Sequence, residues 1–375
     1  MSKTKKKIGI LTFSFSTNPG SVLQAYALQE TISKLGNYDP HIINYQKTSA
    51  GKPVFGKTVF CEPIYKWTPK KILRWTALVL GYPLRIRKYT KFFNNYYKGY
   101  PTARCERNEL SKLVSIYDKF VVGSDQVWNI ESYNVDNTYF LDFVDDNSKK
   151  IAYAASFGSF DFSNSTKETI SPLISNFSSI SVREIYGVQA VKELASKEAT
   201  LVLDPSLLMD KTQYSSLAVS PKIKEKYIFL YLRSDAPQLE KYANALAKHY
   251  GCTVIKVLRH WKYNKSNKPE AALSPFEWLG YIKNADFVVT NSFHGICFSL
   301  IFEKQFFVDL LETGSVNTNP RIQSILELFE LNNRNISTID DFNSLKDIDY
   351  IKLNQVIDEK RKSSISYLKN ALERD

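Results

Sequence analysis

Residues 286–304 read DFVVTNSFHGICFSLIFEK, and this stretch decides the fold that we predict for the chain. It begins with an apolar run typical of a buried strand and ends with a helical pattern, and NSFHG joins the two. In an α/β sheet this order places the helix N-terminus at the carboxyl end of a strand, together with Ser292 and His294. We therefore predict a site here that binds an anion and moves a proton.

The chemistry of this predicted site depends on backbone amides and on one imidazole. Unpaired amides at a helix N-terminus attract phosphate or carboxylate, and Gly295 would let a ligand approach the backbone closely. A histidine titrates near neutral pH, so His294 suits either an anion contact or acid–base work. The simpler interpretation is that Asn291 or Ser292 caps the helix and that His294 is a satisfied, partly buried histidine.

The rest of the chain alternates apolar runs with helical patterns, which predicts parallel sheets covered on both faces. At 375 residues the chain is long for one hydrophobic core, so we expect two domains. We predict an α/β fold of two Rossmann-like, doubly wound domains that face a cleft. The first domain covers residues 1–210, the second covers 211–350, and a helix in 351–375 packs back on the first. The predicted strands lie near 8–13, 41–45, 119–122, 151–155, 180–182, 200–203, 227–232, 253–258, 287–290 and 306–308.

The composition is that of a folded globular protein, with 43% hydrophobic residues. The four cysteines include no C-x-x-C pair, so we expect neither a zinc site nor a disulfide framework. The start, MSKTKKKIGILTFSF, lacks the long apolar region of a signal peptide, and no segment approaches the ~20 apolar residues of a membrane span. We expect a cytoplasmic protein.

The net charge of +12 is concentrated in a predicted insertion at residues 50–107. Between Lys66 and Arg107, many basic residues and aromatic rings face a single acid, Glu106. Such a mixture suits an anionic membrane surface or a lipid phosphate, and it would also suit nucleic acid. The alternative is a helical insertion whose aromatic rings pack on the body of the protein.

Polar residues follow other predicted strands, where open α/β sheets bind ligands. The sequence KFVVGSDQVWN places Ser124, Asp125, Gln126 and Trp128 in one loop. Polar groups for hydroxyls beside an indole for stacking are typical of a sugar site. The alternative is a turn in which Asp125 is a cap and Trp128 is buried.

Charged residues end three more predicted strands. Arg183 lies in SVRE, Asp204 in LDPS and Arg233 in YLRSD. The two arginines would bind an acidic substrate. The NPG turn after the first strand departs from G-x-G-x-x-G, so a dinucleotide site is not supported.

Taken in order, a series of short segments resembles the polysaccharide pyruvyl transferase family. They are NPGSVLQAYALQ, VVGSDQVWN, IAYAASFG, ISVREIYGVQ, LVLDPSLL, ADFVVTNSFHGICFSLIFEKQF and NPRIQSILELFEL, between about residues 8 and 335. The resemblance implies a two-domain fold like that of GT-B glycosyltransferases. It also implies transfer of pyruvate from phosphoenolpyruvate to a sugar, with a cyclic ketal across two hydroxyls of a hexose as the product.

The resemblance assigns residues to the donor. His294 matches the histidine at the family's phosphoenolpyruvate site, and some members have an arginine where this chain has Ser292. We expect other arginines to bind the anion instead, with Arg321 favoured. The predicted donor residues are Ser292, Phe293, His294, Gly295, Arg183, Arg233 and Arg321. Phosphoenolpyruvate is then the donor substrate, and we expect no cofactor and no metal.

The acceptor sugar is expected on the N-terminal domain. The predicted acceptor residues are Asn18, Gly20, Gln24, Ser124, Gln126 and Trp128, with Asp125 beside them. For catalysis we expect His294 to stabilise or protonate the departing phosphate and Asp125 to serve the acceptor hydroxyls. The exchanged roles fit the sequence equally well.

The basic aromatic segment fits this family's chemistry. Polysaccharide repeats of capsules are commonly built on a polyprenyl diphosphate at the cytoplasmic face of the membrane. We therefore expect a lipid-linked acceptor and peripheral contact with the anionic inner face of the cell membrane, and no nucleic acid. Two other classes remain: a GT-B-type glycosyltransferase that uses a nucleotide sugar, and a non-catalytic protein that binds membrane or nucleic acid.

Overall fold

The computed structural model describes most of the chain. The described residues are 4–45, 48–49, 52–53, 69–99, 105–130, 136–158, 162–258, 272–310, 319–339, 342 and 346–374. The strands are β1 Lys6–Leu11, β2 Tyr38–Ile42, β3 Thr48–Ser49, β4 Lys52–Pro53, β5 Lys119–Val122, β6 Lys150–Ala155, β7 Ser179–Val182, β8 Thr200–Leu201, β9 Tyr227–Leu232, β10 Thr253–Leu258, β11 Phe287–Thr290 and β12 Gln305–Val308.

Two parallel sheets form the framework. Within the described residues, the first sheet has six strands in the order β2-β1-β5-β6-β7-β8, and the second has four in the order β10-β9-β11-β12. Strands such as β5 and β9 are buried along their whole length. Continuous burial is typical of parallel strands that are covered on both faces. A short antiparallel pair, β3 and β4, stands apart from both sheets.

Helices connect the strands of each sheet. They are α1 Pro19–Lys34, α2 Pro69–Tyr96, α3 Asn164–Ser175, α4 Ile185–Ala195, α5 Lys211–Leu217, α6 Pro237–Tyr250, α7 Pro275–Asn284, α8 Phe293–Ile301, α9 Asn319–Leu328 and α10 Tyr350–Glu373. Several begin with a capping side chain, such as Ser274 of α7, whose hydroxyl accepts from the Glu277 amide. A short 3-10 turn at Pro205–Leu208 follows β8.

Each sheet has a point where the order of its strands reverses. In the first sheet this point lies between β1 and β5, and in the second it lies between β9 and β11. Loops on the two sides of such a point lead away from each other and leave a crevice at the carboxyl ends of the strands. The two reversal points are therefore the places where this fold binds ligands most readily.

The last helix, α10, packs on the first sheet. The buried Ser364 hydroxyl accepts a hydrogen bond from the Leu203 backbone amide at 2.9 Å. The Tyr367 hydroxyl donates to the Ala152 carbonyl at 3.4 Å, and the Arg374 guanidinium donates to the Ser178 carbonyl at 2.7 Å. The chain therefore returns to its first sheet after it has completed the second.

The predicted α/β fold with two doubly wound parallel sheets is confirmed. The predicted ranges 119–122, 227–232, 253–258 and 287–290 coincide with β5, β9, β10 and β11. β2 begins at Tyr38, before its predicted range, and it includes Pro40. Proline removes a backbone donor, but β2 is an edge strand and tolerates this. The predicted domain boundary at residue 210 stays a prediction.

The basic aromatic segment contains α2, and its described part contacts the protein itself. Tyr89, Phe92 and Phe93 are buried in the hydrophobic core. The Arg85 guanidinium donates to the Thr17 carbonyl at 2.6 Å. The alternative interpretation, aromatic rings packed on the body of the protein, therefore describes the C-terminal part of α2.

The remaining aromatic rings of the segment, at Trp67, Trp75 and Tyr82, lie outside the described side chains. In the described part, the Lys88 ammonium pairs with the Glu277 carboxylate at 2.7 Å. This ion pair joins α2 to α7, which belongs to the second half of the chain. Membrane contact by the segment stays a prediction.

The docking of α10 predicts a stability effect at one serine. We expect Ser364→Ala to lower the free energy of unfolding by about 1 to 3 kcal/mol, because the buried Leu203 amide loses its acceptor. Urea denaturation followed by circular dichroism measures this change. Ser363→Ala, on the exposed side of the same helix, is the matched control. Equal stability of the two variants would contradict the docked position of α10.

Candidate active site

The carboxyl ends of the two sheets meet at the N-terminus of α1. Gly20, in the first turn of α1, contacts the His294 side chain of α8. A Cβ atom at position 20 would lie 2.4 Å from His294 Cγ, far inside normal contact distance. Glycine is therefore required at this position for the two halves to approach each other as they do.

Asp125 lies in the loop after β5 and faces the junction where the two sheets meet. Its backbone is left-handed, with φ of 74°, a conformation that Asp adopts more readily than most residues. The side chain is fixed from two sides: Ser21 of α1 donates its hydroxyl to Oδ2, and the Gln126 amide donates to Oδ1 at 2.9 Å. The carboxylate of the first sheet is thus aimed at the start of α1.

Arg183 lies at the carboxyl end of β7, and its guanidinium is fully buried. It donates to Glu184 Oε1 at 2.9 Å, to Asp204 Oδ2 at 2.8 Å and to the Ser124 hydroxyl at 3.0 Å. Its planar face lies 4.1 Å from the centre of the Phe293 ring, which belongs to the second half. The two ion pairs fix the guanidinium within the first half, and the cation–π contact joins it to the second half.

His294 is the second residue of α8 and is almost completely buried. Its Nε2 atom lies 3.8 Å from Asp204 Oδ2, within ion-pair range but beyond a hydrogen bond. Ser292, the residue before the helix, accepts from the Gly295 amide at 3.3 Å. The imidazole is therefore placed by the helix start and by its contact with Gly20.

Burial controls the protonation of His294. It lowers the pKa of the imidazole from 6.5 to about 4, although Asp204 and Asp125 act in the opposite direction. Arg183 and Arg321 lower the pKa further. At neutral pH the imidazole is therefore uncharged in this structure.

The two aspartates of the site remain ionised. Burial alone would raise the pKa of Asp125, but His294, which is protonated in the acid range where Asp125 titrates, brings it well below its usual value together with Arg183 and the Ser21 hydroxyl. The pKa of Asp204 is lowered by the same cations against the same effect of burial. Burial raises the pKa of Glu184, and Arg183 only partly offsets this.

Several polar atoms of the site are buried without a hydrogen-bond partner. Arg183 Nη2, His294 Nε2, Gln126 Nε2 and Gln24 Oε1 have no hydrogen-bond partner in the described part of the chain. Buried polar groups usually have one, so these atoms are the natural contacts of a bound polar molecule. They include donors as well as an acceptor.

The orientation of the Gln24 amide follows from its neighbours. The Thr12 hydroxyl donates its one proton to the Ser124 carbonyl at 2.6 Å, so it can only accept from Gln24. The amide nitrogen of Gln24 fills this role at 3.0 Å. The remaining oxygen, Oε1, is therefore a fixed hydrogen-bond acceptor.

The structure brings many of the predicted site residues together. Asp125, Arg183, Phe293, His294 and Arg321 lie at one junction, where Arg321 of α9 is buried and acts on the carboxylates and on His294. Gly20 is also part of it. The predicted roles of these residues in catalysis and binding stay predictions.

The prediction that the Trp128 indole stacks on a sugar is wrong. Its indole is fully buried in the hydrophobic core, stacked at 5.5 Å on the Phe140 ring, and its N–H donates to the Tyr139 carbonyl at 3.1 Å. No face of the ring is accessible for a sugar to stack on. The alternative from the sequence, a buried Trp128 after a turn, describes the structure.

Gly295 and Ser292 serve the helix start. A Cβ atom at Gly295 would lie 2.6 Å from Thr290 Oγ1, so the glycine lets α8 pack on β11. The packing of α8 on β11 accounts for this glycine, and close approach of a ligand to Gly295 stays a prediction. The Ser292 hydroxyl caps α8, as the simpler interpretation of the sequence held.

Two predicted acceptor residues are used within the protein. The Ser124 hydroxyl donates to Asp204 Oδ2 at 2.7 Å and accepts from Arg183. The Asn18 amide donates to the Ser21 hydroxyl at 2.6 Å, and its side chain is only partly buried. These two residues shape the site, whereas Gln24 and Gln126 offer atoms to a ligand.

Arg233 lies at the edge of the site. It follows β9, and its backbone amide donates to the Asn291 side-chain oxygen at 2.7 Å. This bond joins the two loops at the reversal point of the second sheet. The side chain is partly exposed, in contrast to the buried Arg183 and Arg321.

Sequence reasoning did not place Glu184 and Ser21 in the site. Glu184 directly follows Arg183, and neighbouring residues of a strand normally point to opposite faces. Here β7 has ended at Val182, so both side chains enter the buried cluster. Asp204 was noticed at a strand end, but its ion pair with Arg183 could not be foreseen. The SVRE motif is the sequence signal for Glu184, and the LDPS motif is the signal for Asp204.

Other classes of site receive no support in the described ranges. There, no group of three or more His, Cys, Asp or Glu side chains could hold a metal ion. None of the described helices is long and apolar enough to cross a membrane.

Comparison with known proteins gives one strong match. The sequence profile named polysaccharide pyruvyl transferase matches residues 18–308. That range includes every residue of the junction except Arg321. Curated protein sequences gave no match.

Solved structures are similar at low identity. One is the UDP-GlcNAc 2-epimerase from Methanocaldococcus jannaschii, with 12% identity, a TM-score of 0.45 and coverage of 94% of this chain and 92% of the other. Another is the glycosyltransferase SnogD from Streptomyces nogalater, with 10% identity, a TM-score of 0.44 and coverage of 98% and 100%. Similarity at this level carries no conclusion about function.

The buried imidazole predicts a pH dependence of stability. Because the folded-state pKa of about 4 lies below the ordinary 6.5, the folded protein binds fewer protons than the unfolded chain between these values. The contribution of His294 is fully present above pH 6.5 and is lost as the pH falls toward 4. We expect the wild type to lose about 3 kcal/mol more than His294→Gln across this window, measured by urea denaturation at several pH values.

The control for this experiment is a second histidine. His249→Gln, on the exposed side of α6, should follow the wild-type profile. If the stability of the wild type and of His294→Gln changed with pH in parallel, the imidazole would bind its proton as readily in the folded protein as in the unfolded chain, against our expectation.

Proposed function

Since the chain belongs to the polysaccharide pyruvyl transferase family, we propose that it transfers pyruvate from phosphoenolpyruvate to a sugar of a polysaccharide precursor. The observation that supports this best is the meeting of Asp125 from the first half with His294 from the second, beside Arg183. A transferase must hold its two substrates next to each other in a reactive geometry, and a junction with groups from both halves can do this. We propose both the identity of the donor, phosphoenolpyruvate, and the cyclic ketal as the product.

The donor suits the cationic side of the junction, where Arg183 of the first half lies beside His294 of the second. Phosphoenolpyruvate carries a phosphate and a carboxylate, which arginines and histidine bind through charge-assisted hydrogen bonds. Arg183 Nη2 and His294 Nε2 are buried donors or acceptors without a partner in the described residues. Arg321 adds a second buried guanidinium. We propose that these three residues bind the donor in place of the arginine that some family members have at Ser292.

The acceptor suits the first half. A sugar hydroxyl both donates and accepts, and Gln24 Oε1 and Gln126 Nε2 offer one acceptor and one donor. Asp125 is ionised, directly precedes Gln126 in the sequence and follows β5 at the reversal point of the first sheet. We propose that Asp125 is the base that takes the proton of the attacking hydroxyl.

His294 has a different role in this proposal. An uncharged imidazole binds the phosphate through one hydrogen bond, and the negative charge of the phosphate raises its pKa. The imidazole is thereby prepared to stabilise the phosphate as it leaves. We favour this assignment over the exchanged roles because Asp125, whose pKa is lowered, carries no proton to donate at neutral pH.

The proposal predicts specific stabilisation by the donor. At 100 times its dissociation constant, phosphoenolpyruvate should add about 2.7 kcal/mol to the stability of the protein. Thermal unfolding with and without the ligand measures this, and His294→Ala should weaken the effect. His249→Ala is the matched control. Stabilisation by uridine or guanosine diphosphate alone would favour a glycosyltransferase that uses a nucleotide sugar.

The reaction itself is tested with a diol acceptor. We expect His294→Ala and Asp125→Asn each to lower the rate of phosphate release from phosphoenolpyruvate and acceptor at least about a hundredfold. Asn is isosteric with Asp and also tolerates the left-handed backbone at position 125. Normal turnover by both variants would rule out the proposed roles.

We also propose that the acceptor is linked to a polyprenyl diphosphate and that the basic segment contacts the anionic membrane. The support is the sequence of residues 66–82, where Lys70, Lys71 and Arg74 lie among aromatic and aliphatic residues. Lys88 does not contribute, because it pairs with Glu277.

Vesicle sedimentation tests this part of the proposal. The protein should bind vesicles that contain anionic lipid at low salt and be released near 1 M salt, where charges are screened within about 3 Å. Replacement of Lys70, Lys71 and Arg74 by Gln should abolish binding. The control replaces the exposed Lys222, Lys224 and Lys226 by Gln and changes the net charge equally. Absence of binding at low salt would contradict the proposal.

A further inference from the structure

The buried junction contains more acidic groups than arginines. Among the described residues, three carboxyl groups and two guanidinium groups lie there together with one imidazole, all almost completely buried. They are Asp125, Glu184, Asp204, Arg183, Arg321 and His294. If every acid were ionised and the imidazole neutral, the cluster would carry an unbalanced negative charge. A buried unbalanced charge is costly, so the cluster favours the binding of one further proton.

Asp204 is a poor site for this proton. Its carboxylate accepts hydrogen bonds from the Ser124 hydroxyl at 2.7 Å, from Arg183 at 2.8 Å, and from the Ser206 amide and hydroxyl at 2.9 and 2.5 Å. Donors that point at both oxygens favour the ionised form. Asp125 is held in the same way by Ser21 and by the Gln126 amide.

His294 is also a poor site. Its Nε2 atom makes no hydrogen bond in the described part of the chain, and the nearest carboxylate oxygen is 3.8 Å away. An imidazolium ion here would be buried beside two guanidinium groups without a direct partner. Burial accordingly brings its pKa to about 4.

Glu184 is the remaining group. Its Oε1 atom accepts one bond from Arg183 at 2.9 Å, whereas Oε2 has no hydrogen-bond partner among the described residues. The side chain lies at the N-cap position of α4 but makes no capping bond. The Ser156 hydroxyl lies near this carboxyl group and partly stabilises its ionised form, but of the three carboxyl groups it is the one with an oxygen that makes no hydrogen bond among the described residues, so protonation costs it least.

We propose that Glu184 holds the exchangeable proton of the cluster and is the acid of the transfer reaction. The location of the proton follows from the cluster alone, whereas its use in catalysis rests on the proposed function. The direction of the pKa shift agrees, because burial raises the pKa of Glu184 while Arg183, Ser156 and Arg321 only partly oppose it. Tyr186 of α4 is another titratable neighbour, and burial raises the pKa of its hydroxyl well above the ordinary value, so it keeps its proton at neutral pH.

Each proton in the proposed reaction has a donor and an acceptor. Glu184 gives its proton to the methylene carbon C3 of phosphoenolpyruvate, which forms a C–H bond and leaves C2 electrophilic. The first sugar hydroxyl bonds to C2, and its proton returns to Glu184 by way of Asp125. The second hydroxyl then bonds to C2 as the bond from C2 to the phosphate oxygen breaks, and its proton leaves with the phosphate. The enzyme ends as it began.

Infrared spectroscopy tests the location of the proton without any substrate. The difference spectrum between the wild type and Glu184→Gln at pH 7 should contain the carbonyl band of a protonated carboxyl group, which shifts in D2O. Glu193→Gln, on the exposed side of the same helix, should show only the loss of an ionised carboxylate. A carboxylate band in the Glu184→Gln difference spectrum would overturn the proposal whatever the enzyme does.

Catalysis tests the use of the proton. Gln resembles a protonated Glu in shape, so Glu184→Gln should keep its stability and its stabilisation by phosphoenolpyruvate. It should lose transfer activity at least about a hundredfold. Glu184→Asp should retain part of the activity and shift the alkaline limb of the rate–pH profile, which a purely structural role would not do.

The outcomes separate the two proposals. Full activity of Glu184→Gln, with a protonated carboxyl in the wild type, would remove the acid role and leave the proton merely structural. Absence of phosphoenolpyruvate binding by the wild type would instead contradict the proposed function. If Glu184→Gln does not fold, pH titration of the wild-type carboxyl band, with Glu184→Asp to assign it, gives the same answer. A band that Glu184→Asp leaves unmoved would overturn the proposal.

Discussion

The guanidinium of Arg183 connects the segments that form the junction. It contacts the end of β5 through Ser124, the segment after β8 through Asp204, its own neighbour Glu184, and α8 through the Phe293 ring. Arginine can do this because its planar fork donates in several directions while its face stacks on an aromatic ring. Removal of one partner from such a buried network costs about 3 to 5 kcal/mol, since another charge is left without compensation. The geometry of the site therefore depends on this side chain.

Burial gives the residues of the network different protonation states. Asp125 and Asp204 are surrounded by donors and stay ionised, while His294 and Glu184 have few direct partners and favour their neutral forms. Groups with opposed pKa shifts in one site are typical of acid–base chemistry. In this protein they come from both sheets, so the acid–base state of the site requires both halves in contact.

The sequence predicted the fold well because the strands are long apolar runs with clear ends. Segments such as YIFLYL and FVVT allow few other structures, and the carboxyl ends of parallel strands bring their following residues together. Local sequence does not show which way a side chain points after the strand ends. The sequence therefore left both a stacking and a buried Trp128 open, and it did not show that Gly295 packs against Thr290 of β11 or that Glu184 joins the cluster beside Arg183.

The contact between Gly20 and His294 also connects domain motion to acidity. The imidazole is buried only while α1 covers it, so separation of the two halves would expose it to water and return its pKa toward 6.5. Between pH 4 and 6.5 the open form would thus take up a proton that the closed form does not hold. By linkage, mild acid favours the open form and neutral pH favours the closed one.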